Sequence, residues 1–122
     1  MDPGPFALPR AQLIDYFGEE RVSEKQLPDG RHVFRVTEVP LPSGCAPRVT
    51  PVLLVYTNPQ GAPEVLVKPE IRLPGGKVPR NMTPLTVDGE PWSSFSANCQ
   101  WNPGESVSLY MLRRIWRFRQ PD

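Results

Sequence analysis

Val52-Leu53-Leu54-Val55-Tyr56-Thr57, closed by Asn58-Pro59-Gln60-Gly61, is an apolar, β-branched run followed by a chain reversal. The lack of polar alternation suits a deeply buried strand. The turn has a mechanism, because Pro presets one dihedral and Gly accepts a positive one. Upstream, Arg31 to Val39 is rich in Val, Phe and Thr and reads as a partner strand entered through Pro28-Asp29-Gly30. Downstream, Glu64 to Ile71 gives a third strand, ended by Pro74-Gly75-Gly76. The connection Pro40-Leu41-Pro42-Ser43-Gly44-Cys45-Ala46-Pro47 cannot be helical. These pieces predict an antiparallel β-meander.

Helices flank it. After a Pro/Gly leader over residues 1–7, expected to be flexible, Pro9 suits a first helical position. Leu13, Ile14 and Phe17 share a face of that helix and Gly18 ends it. Glu19 to Gly30 reads as a polar connection. At the other end, Asn102-Pro103-Gly104-Glu105 offers a cap, a proline at the first position and an acid near the positive end of the dipole. The helix is expected from Pro103 to Phe118, with Leu109, Leu112 and Trp116 on one buried stripe and Met111, Ile115 and Phe118 on its neighbour. Between Lys77 and Gln100, Pro79, Pro84, Asp88-Gly89 and Pro91 break every period, so this segment is expected to be one long irregular loop. A loop of that length in a small domain usually lines a site. The fold class is α+β in a single domain over residues 1–122: N-terminal helix, meander, irregular loop, C-terminal helix.

Composition limits function. The chain has 122 residues, 14 Lys plus Arg against 13 Asp plus Glu, and a net charge of +1. That balance gives no cationic surplus for a whole-surface grip on nucleic acid. Its 17 prolines exceed a usual share of about 5% and favour short strands and stiff turns over long helices. The longest apolar run is far short of the roughly 20 residues a spanning helix needs, so no membrane role is expected. Met1 to Pro5 lacks a basic segment followed by an apolar one, and the expected location is cytoplasmic. Two cysteines and one histidine, His32, are too few for a disulfide framework or a zinc site, and no metal or cofactor is expected. The lone histidine, placed inside a strand, also argues against a Ser-His-Asp triad.

Cys99 is the residue best placed for chemistry, at the end of the irregular segment and just ahead of the expected helix start, whose positive end can stabilise a thiolate. The alternative is a small apolar residue packed beside Trp101. Ser96 and Asn98 flank it, one as a hydroxyl nucleophile and the other as an oxyanion donor, or both as plain loop residues. Cys45, in a turn with no base nearby, reads as structural. Arg113, Arg114, Arg117 and Arg119 suit the negative end of the last helix, or form a patch for an acidic partner or nucleic acid. Trp92 and Phe95 either pin the loop to the core or stack on a ligand.

The order Leu41-Pro42-Ser43-Gly44, Thr50 to Thr57, Val87-Asp88-Gly89, Trp92, Phe95-Ser96 and Trp101-Asn102-Pro103-Gly104 before a closing helix resembles the prokaryotic ubiquitin-conjugating-enzyme-like families. The likeness runs from Leu8 to Phe118 and points to the divergent branch that accompanies ubiquitin-activating-like proteins and deconjugating metalloproteases. Pro79-Arg80-Asn81 stands nearest to the His-Pro-Asn motif of eukaryotic members, without its histidine. The resemblance implies a minimal ubiquitin-conjugating-like fold in which the irregular segment is the active-site loop. It also implies that a ubiquitin-like modifier arrives from an activating enzyme, is held as a thioester on Cys99, and passes to a target amine. Ser96 is then the fallback nucleophile, and Asn98 or Asn81 the oxyanion donor. One helix after that loop implies a minimal version or one completed by a partner. The alternative expectation is an inactive adaptor of the same fold that binds the modifier or the activating enzyme.

Overall fold

The computed structural model describes residues 4–97, 99–102 and 104–119. Its helices are α1 (Ala7–Phe17) and α2 (Val107–Ile115), the latter continued by a 3-10 turn over Trp116–Arg119. Its strands are β1 (Val22–Gln26), β2 (His32–Pro40), β3 (Val49–Tyr56), β4 (Glu64–Val67), β5 (Met82–Val87) and β6 (Glu90–Phe95). All six form one antiparallel sheet in the order β1-β2-β3-β4-β6-β5. The class is α+β, and the predicted meander is its centre.

Because successive side chains point to opposite faces, β3 feeds two apolar layers. Val52, Leu54 and Tyr56 join Phe34, Val36, Val65 and Val67 on the face where Leu13 and Phe17 of α1 and Met111 and Ile115 of α2 pack. Leu53 and Val55 join Val33, Leu66, Val87 and Trp92 on the other face. That second layer is roofed by charge. Arg35 and Lys68 bind the two oxygens of Glu90 at 2.7 and 2.8 Å, and both cations lie over the Trp92 ring. Lys68 also donates to the Pro91 carbonyl at 2.8 Å. From the far edge strand, Lys25 reaches Asp88 in the β5–β6 turn at 2.7 Å, so the sheet curls until its two ends meet. A cavity of about 280 Å³ remains beneath this pair.

The irregular loop expected over Lys77 to Gln100 is instead largely the β5–β6 hairpin. Asp88 and Gly89 both take positive φ (51° and 79°), which makes the two-residue turn that matches strand twist. With Val87 opposite Glu90, alternation of the ladder makes Thr86–Pro91 and Pro84–Ser93 the non-hydrogen-bonded pairs. Each proline therefore stands where its missing N–H would have pointed away from the partner strand, and Pro84 lies on the free edge, where proline discourages further pairing.

β1 was expected as a polar connection. It exposes four of its five residues, so no apolar period marks it. The third strand stops at Val67, short of Ile71, where the chain turns. Phe6 and Ala7, the end of the expected leader, belong to the fold: Ala7 opens α1, ahead of Pro9, and the Phe6 ring stacks on His32 at 4.1 Å. Gly18 ends α1 as expected, with φ 98° and its N–H bonded to the Ile14 carbonyl at 2.8 Å.

The last helix starts at Val107, later than expected, and Pro103 lies outside the described residues. Its cap comes from α1. The Val107 N–H donates to Gln12 Oε1 at 2.9 Å, and the buried Ser108 hydroxyl donates to the Gln12 carbonyl at 2.9 Å. Of the two stripes expected to be buried, Met111, Ile115 and Phe118 are, whereas Leu109 and Trp116 are 52% and 55% exposed and Leu112 is half-buried. The sheet covers one side of α2 and α1 another.

Removing the Gln12 amide strands the Val107 N–H, so Gln12→Ala is expected to lower stability by about 1 kcal/mol, read as a shifted urea midpoint. Lys68 foremost, and then Arg35, hold the Glu90 carboxyl below its ordinary range. A depressed pKa contributes stability above the unfolded-state value and loses it as pH falls through the folded one. The stability gap between wild type and Glu90→Gln should therefore be widest at neutral pH and close on acidification below the ordinary glutamate range, as urea titrations across pH would show.

Candidate functional site

The chain between β6 and α2 returns across the exposed side of the helix. Its Cys99 N–H donates to the Ala97 carbonyl at 2.9 Å. Trp101 meets the Tyr110 ring edge-on at 5.1 Å, and the Glu105 N–H closes a turn onto the Asn102 carbonyl at 3.1 Å. Glu105 is thus not in the first turn of the helix. Its two oxygens take a forked pair of hydrogen bonds from Arg113 at 2.8 and 2.9 Å, and Arg113 also donates to the Gln100 carbonyl at 3.0 Å. A planar guanidinium matched to a carboxylate fixes direction as well as distance, so this clamp holds Gln100 and Glu105 against α2.

Between the segment and the helix runs an open groove of about 790 Å³, lined by Cys99, Gln100, Asn102, Leu109, Leu112, Arg113 and Trp116. Cys99 is half-buried against the core. The cation beside it is not the helix end, which begins eight residues further on, but the Arg113 side chain: Glu105 foremost, and then the neighbouring Cys99, hold the Arg113 guanidinium above its already high pKa. A thiol next to a fixed guanidinium, in a groove open to solvent, is accessible to an acyl carbonyl and sits beside a positive charge.

Of the other residues read from the sequence, Ser96 is exposed just beyond β6 and does not line this groove. Asn81 immediately precedes β5 with φ 58°, and the pairing of Met82 with Phe95 puts it at the same end of the hairpin as Ser96. Asn98 lies outside the described residues. Cys45 is buried, its thiol donates to the Phe118 carbonyl at 3.3 Å, and burial pushes its pKa up. His32 is enclosed by Phe6 and Phe34, with Nε2 at 2.7 Å from the Glu24 carboxylate, which also pairs with Arg10. Trp92 is buried in the second layer and Phe95 packs on Phe118 at 4.8 Å. Both hold the structure together. Among the described residues no group of three or more His, Cys, Asp or Glu is placed to hold a metal ion, and no helix is long and apolar enough to cross a membrane.

Sequence reasoning missed the Glu105–Arg113 clamp. Their separation of eight fits no helical neighbour rule, because Glu105 lies off the helix. The exposed third of α2 was also missed, since an apolar stripe reads as core unless a neighbour's absence is known.

The two thiols should separate cleanly. Native protein treated with iodoacetamide is expected to label at Cys99 and to leave Cys45 unmodified until denaturant is added, as peptide mass mapping would report. Comparison with models of known families, with curated proteins and with solved structures finds no match to this chain.

Proposed function

We propose that this protein is a ubiquitin-conjugating-like carrier of the cytoplasm. It takes a ubiquitin-like modifier from an activating enzyme and delivers it to a target amine in a bacterial pathway that also has a deconjugating metalloprotease. The observation that carries the reading is Cys99 beside Arg113 in an open groove, between a hairpin and a closing helix. The coarse element order supports it, since an N-terminal helix, antiparallel strands and a final helix are what the sequence resemblance implies, although the long irregular segment it implies is here largely the β5–β6 hairpin.

In the first step the Cys99 thiolate attacks the modifier's C-terminal carbonyl, which is a thioester on the activating enzyme. A carbon–sulfur bond forms to Cys99, the bond to the enzyme's sulfur breaks, and that sulfur leaves as thiolate. In the second step a target amine attacks the same carbonyl, a carbon–nitrogen bond forms, Cys99 leaves as thiolate, and the amine proton passes to solvent. The Arg113 guanidinium meets the negative charge that returns to sulfur. An asparagine amide, Asn98 or Asn81, donates to the oxyanion of each tetrahedral intermediate. Ser96 as an oxyester-forming nucleophile is the weaker assignment. A hydroxyl needs a base, and the groove lining contains neither histidine nor carboxylate among the described residues.

The second reading, a non-catalytic adaptor of the same fold, is favoured by one feature, the apolar ridge Leu109-Leu112-Trp116 along the groove, which suits protein contact.

Incubation with activating enzyme, modifier and ATP, followed by gels with and without reductant, tests both. Transfer predicts a reductant-sensitive adduct that Cys99→Ala abolishes and Arg113→Gln reduces by about tenfold in rate, the worth of one well-placed charge. An adduct that resists reductant and yields to hydroxide assigns the role to Ser96. Binding of the modifier without any adduct assigns the adaptor.

A further inference from the structure

The cavity of about 280 Å³ beneath the Lys25–Asp88 pair is walled by strands from opposite ends of the sheet. Val33, Leu53, Val87 and Trp92 give it an apolar lining, and all four are buried in the layer that faces away from the helices. A small domain normally closes such space, since interiors pack to the density of a crystal. Here the curvature that brings the sheet ends together keeps it, much as the mouth of a barrel makes a ligand pocket.

The charged groups around it differ in how firmly they are held. Arg35 and Lys68 both bind Glu90, at 2.7 and 2.8 Å, and both lie over the Trp92 ring, so this set is fixed. Glu24 also lines the cavity, but its carboxylate is taken by Arg10 and His32. Lys25 and Asp88 are different. Register sets Lys25 opposite Val33 on the edge strand, Asp88 stands in the hairpin turn, and their side chains are 59% and 46% exposed. So exposed a pair gains little from its contact and parts at small cost. A cation and a carboxylate then face each other over an apolar hole.

We infer that this cavity binds a free α-amino acid with an apolar side chain, inserted between Lys25 and Asp88. The ligand's carboxylate accepts from Lys25 Nζ, its ammonium donates to the Asp88 carboxylate, and its side chain enters against Val33, Leu53, Val87 and Trp92. Each member of the opened pair exchanges one charged partner for another, so no charge is stranded. A ligand with a single charge lacks this balance. An apolar acid satisfies Lys25 and sets a second carboxylate beside Asp88, and an apolar amine does the reverse with Lys25.

The test titrates the full chain with L-leucine by calorimetry, beside isocaproate, which lacks the ammonium, isoamylamine, which lacks the carboxylate, and L-serine, which lacks the apolar side chain. Leucine should bind one to one and raise the thermal midpoint. Each of the other three should bind about tenfold more weakly or less, the loss expected for one charged hydrogen bond or a few buried methyl groups. Lys25→Met and Asp88→Asn should each lower leucine affinity by about tenfold. Asn accepts the positive φ of 51° at position 88, so the hairpin turn is kept. Urea midpoints report whether the variants fold, and the ligand series on the unaltered protein tests the charge assignment without them. No leucine binding at millimolar concentration, equal binding of any of the three analogues, or an affinity that neither substitution changes overturns the proposal. Cys99 and its groove contribute no residue to this site, and no activating enzyme or modifier is present. This result and that of the transfer assay therefore fall independently.

Discussion

Two hydrogen bonds accepted by Gln12 settle how the last helix lies. The side-chain oxygen accepts the Val107 N–H and the main-chain carbonyl accepts the Ser108 hydroxyl, so one residue of α1 fixes both the start of α2 and its rotation about its own axis. A helix N-terminus leaves several N–H groups without intrahelical partners. Here a residue almost the whole chain away supplies one acceptor. With the rotation set, Met111, Ile115 and Phe118 face the core, and Leu109 and Trp116 face outward. The groove beside Cys99 is a consequence of that rotation. So is the reach of Arg113 back to Glu105 and the Gln100 carbonyl, which holds the wall opposite the helix in place.

The sheet solves a different problem. Both helices pack on one face, yet β3 and β4 are apolar on both, and Leu66 is fully buried on the side away from the helices. Burying such a leucine is worth about 2 kcal/mol, but only if something excludes water. Curvature and long cationic side chains do this. Arg35 and Lys68 lay their stems and charges across Trp92 and meet on Glu90, and Lys25 ties the far edge to the hairpin turn. Amphipathic side chains thereby replace a second layer of secondary structure. The arrangement leaves the groove on α2 as the largest open depression among those described, at the end of the molecule where β6 hands the chain to the helix.

How far the residues foretold this differs by element. β2, β3 and the Asn58–Gly61 turn follow from local chemistry, because a β-branched run bounded by Pro and Gly has few other conformations open to it. The β5–β6 hairpin did not, although Asp88-Gly89 is a hairpin turn signal, because Pro84 and Pro91 read as breakers. Only the register shows that each falls where its absent N–H costs the β5–β6 pairing no bond. β1 escaped notice because an exposed edge strand of Ser, Glu, Lys and Gln needs no apolar period. Cys99 stood out by position, but its electrostatic partner did not. The expected neighbour was the helix end, and the neighbour found is a side chain one and a half turns into the helix.

The sequence by itself determined the α+β class, the central strands, the end of the first helix at Gly18, and a cysteine ahead of the final helix. Those features depend on residues adjacent in the chain or spaced by one structural period, where sterics and burial act locally. Tertiary structure alone decided which stripe of α2 stays exposed, that Gln12 caps it, that Glu105 clamps Arg113 beside Cys99, and that Arg117 meets the Arg80 carbonyl. Each of these pairs groups from distant parts of the chain. Their meeting is set by how helices and sheet pack, a three-dimensional constraint that no local pattern encodes.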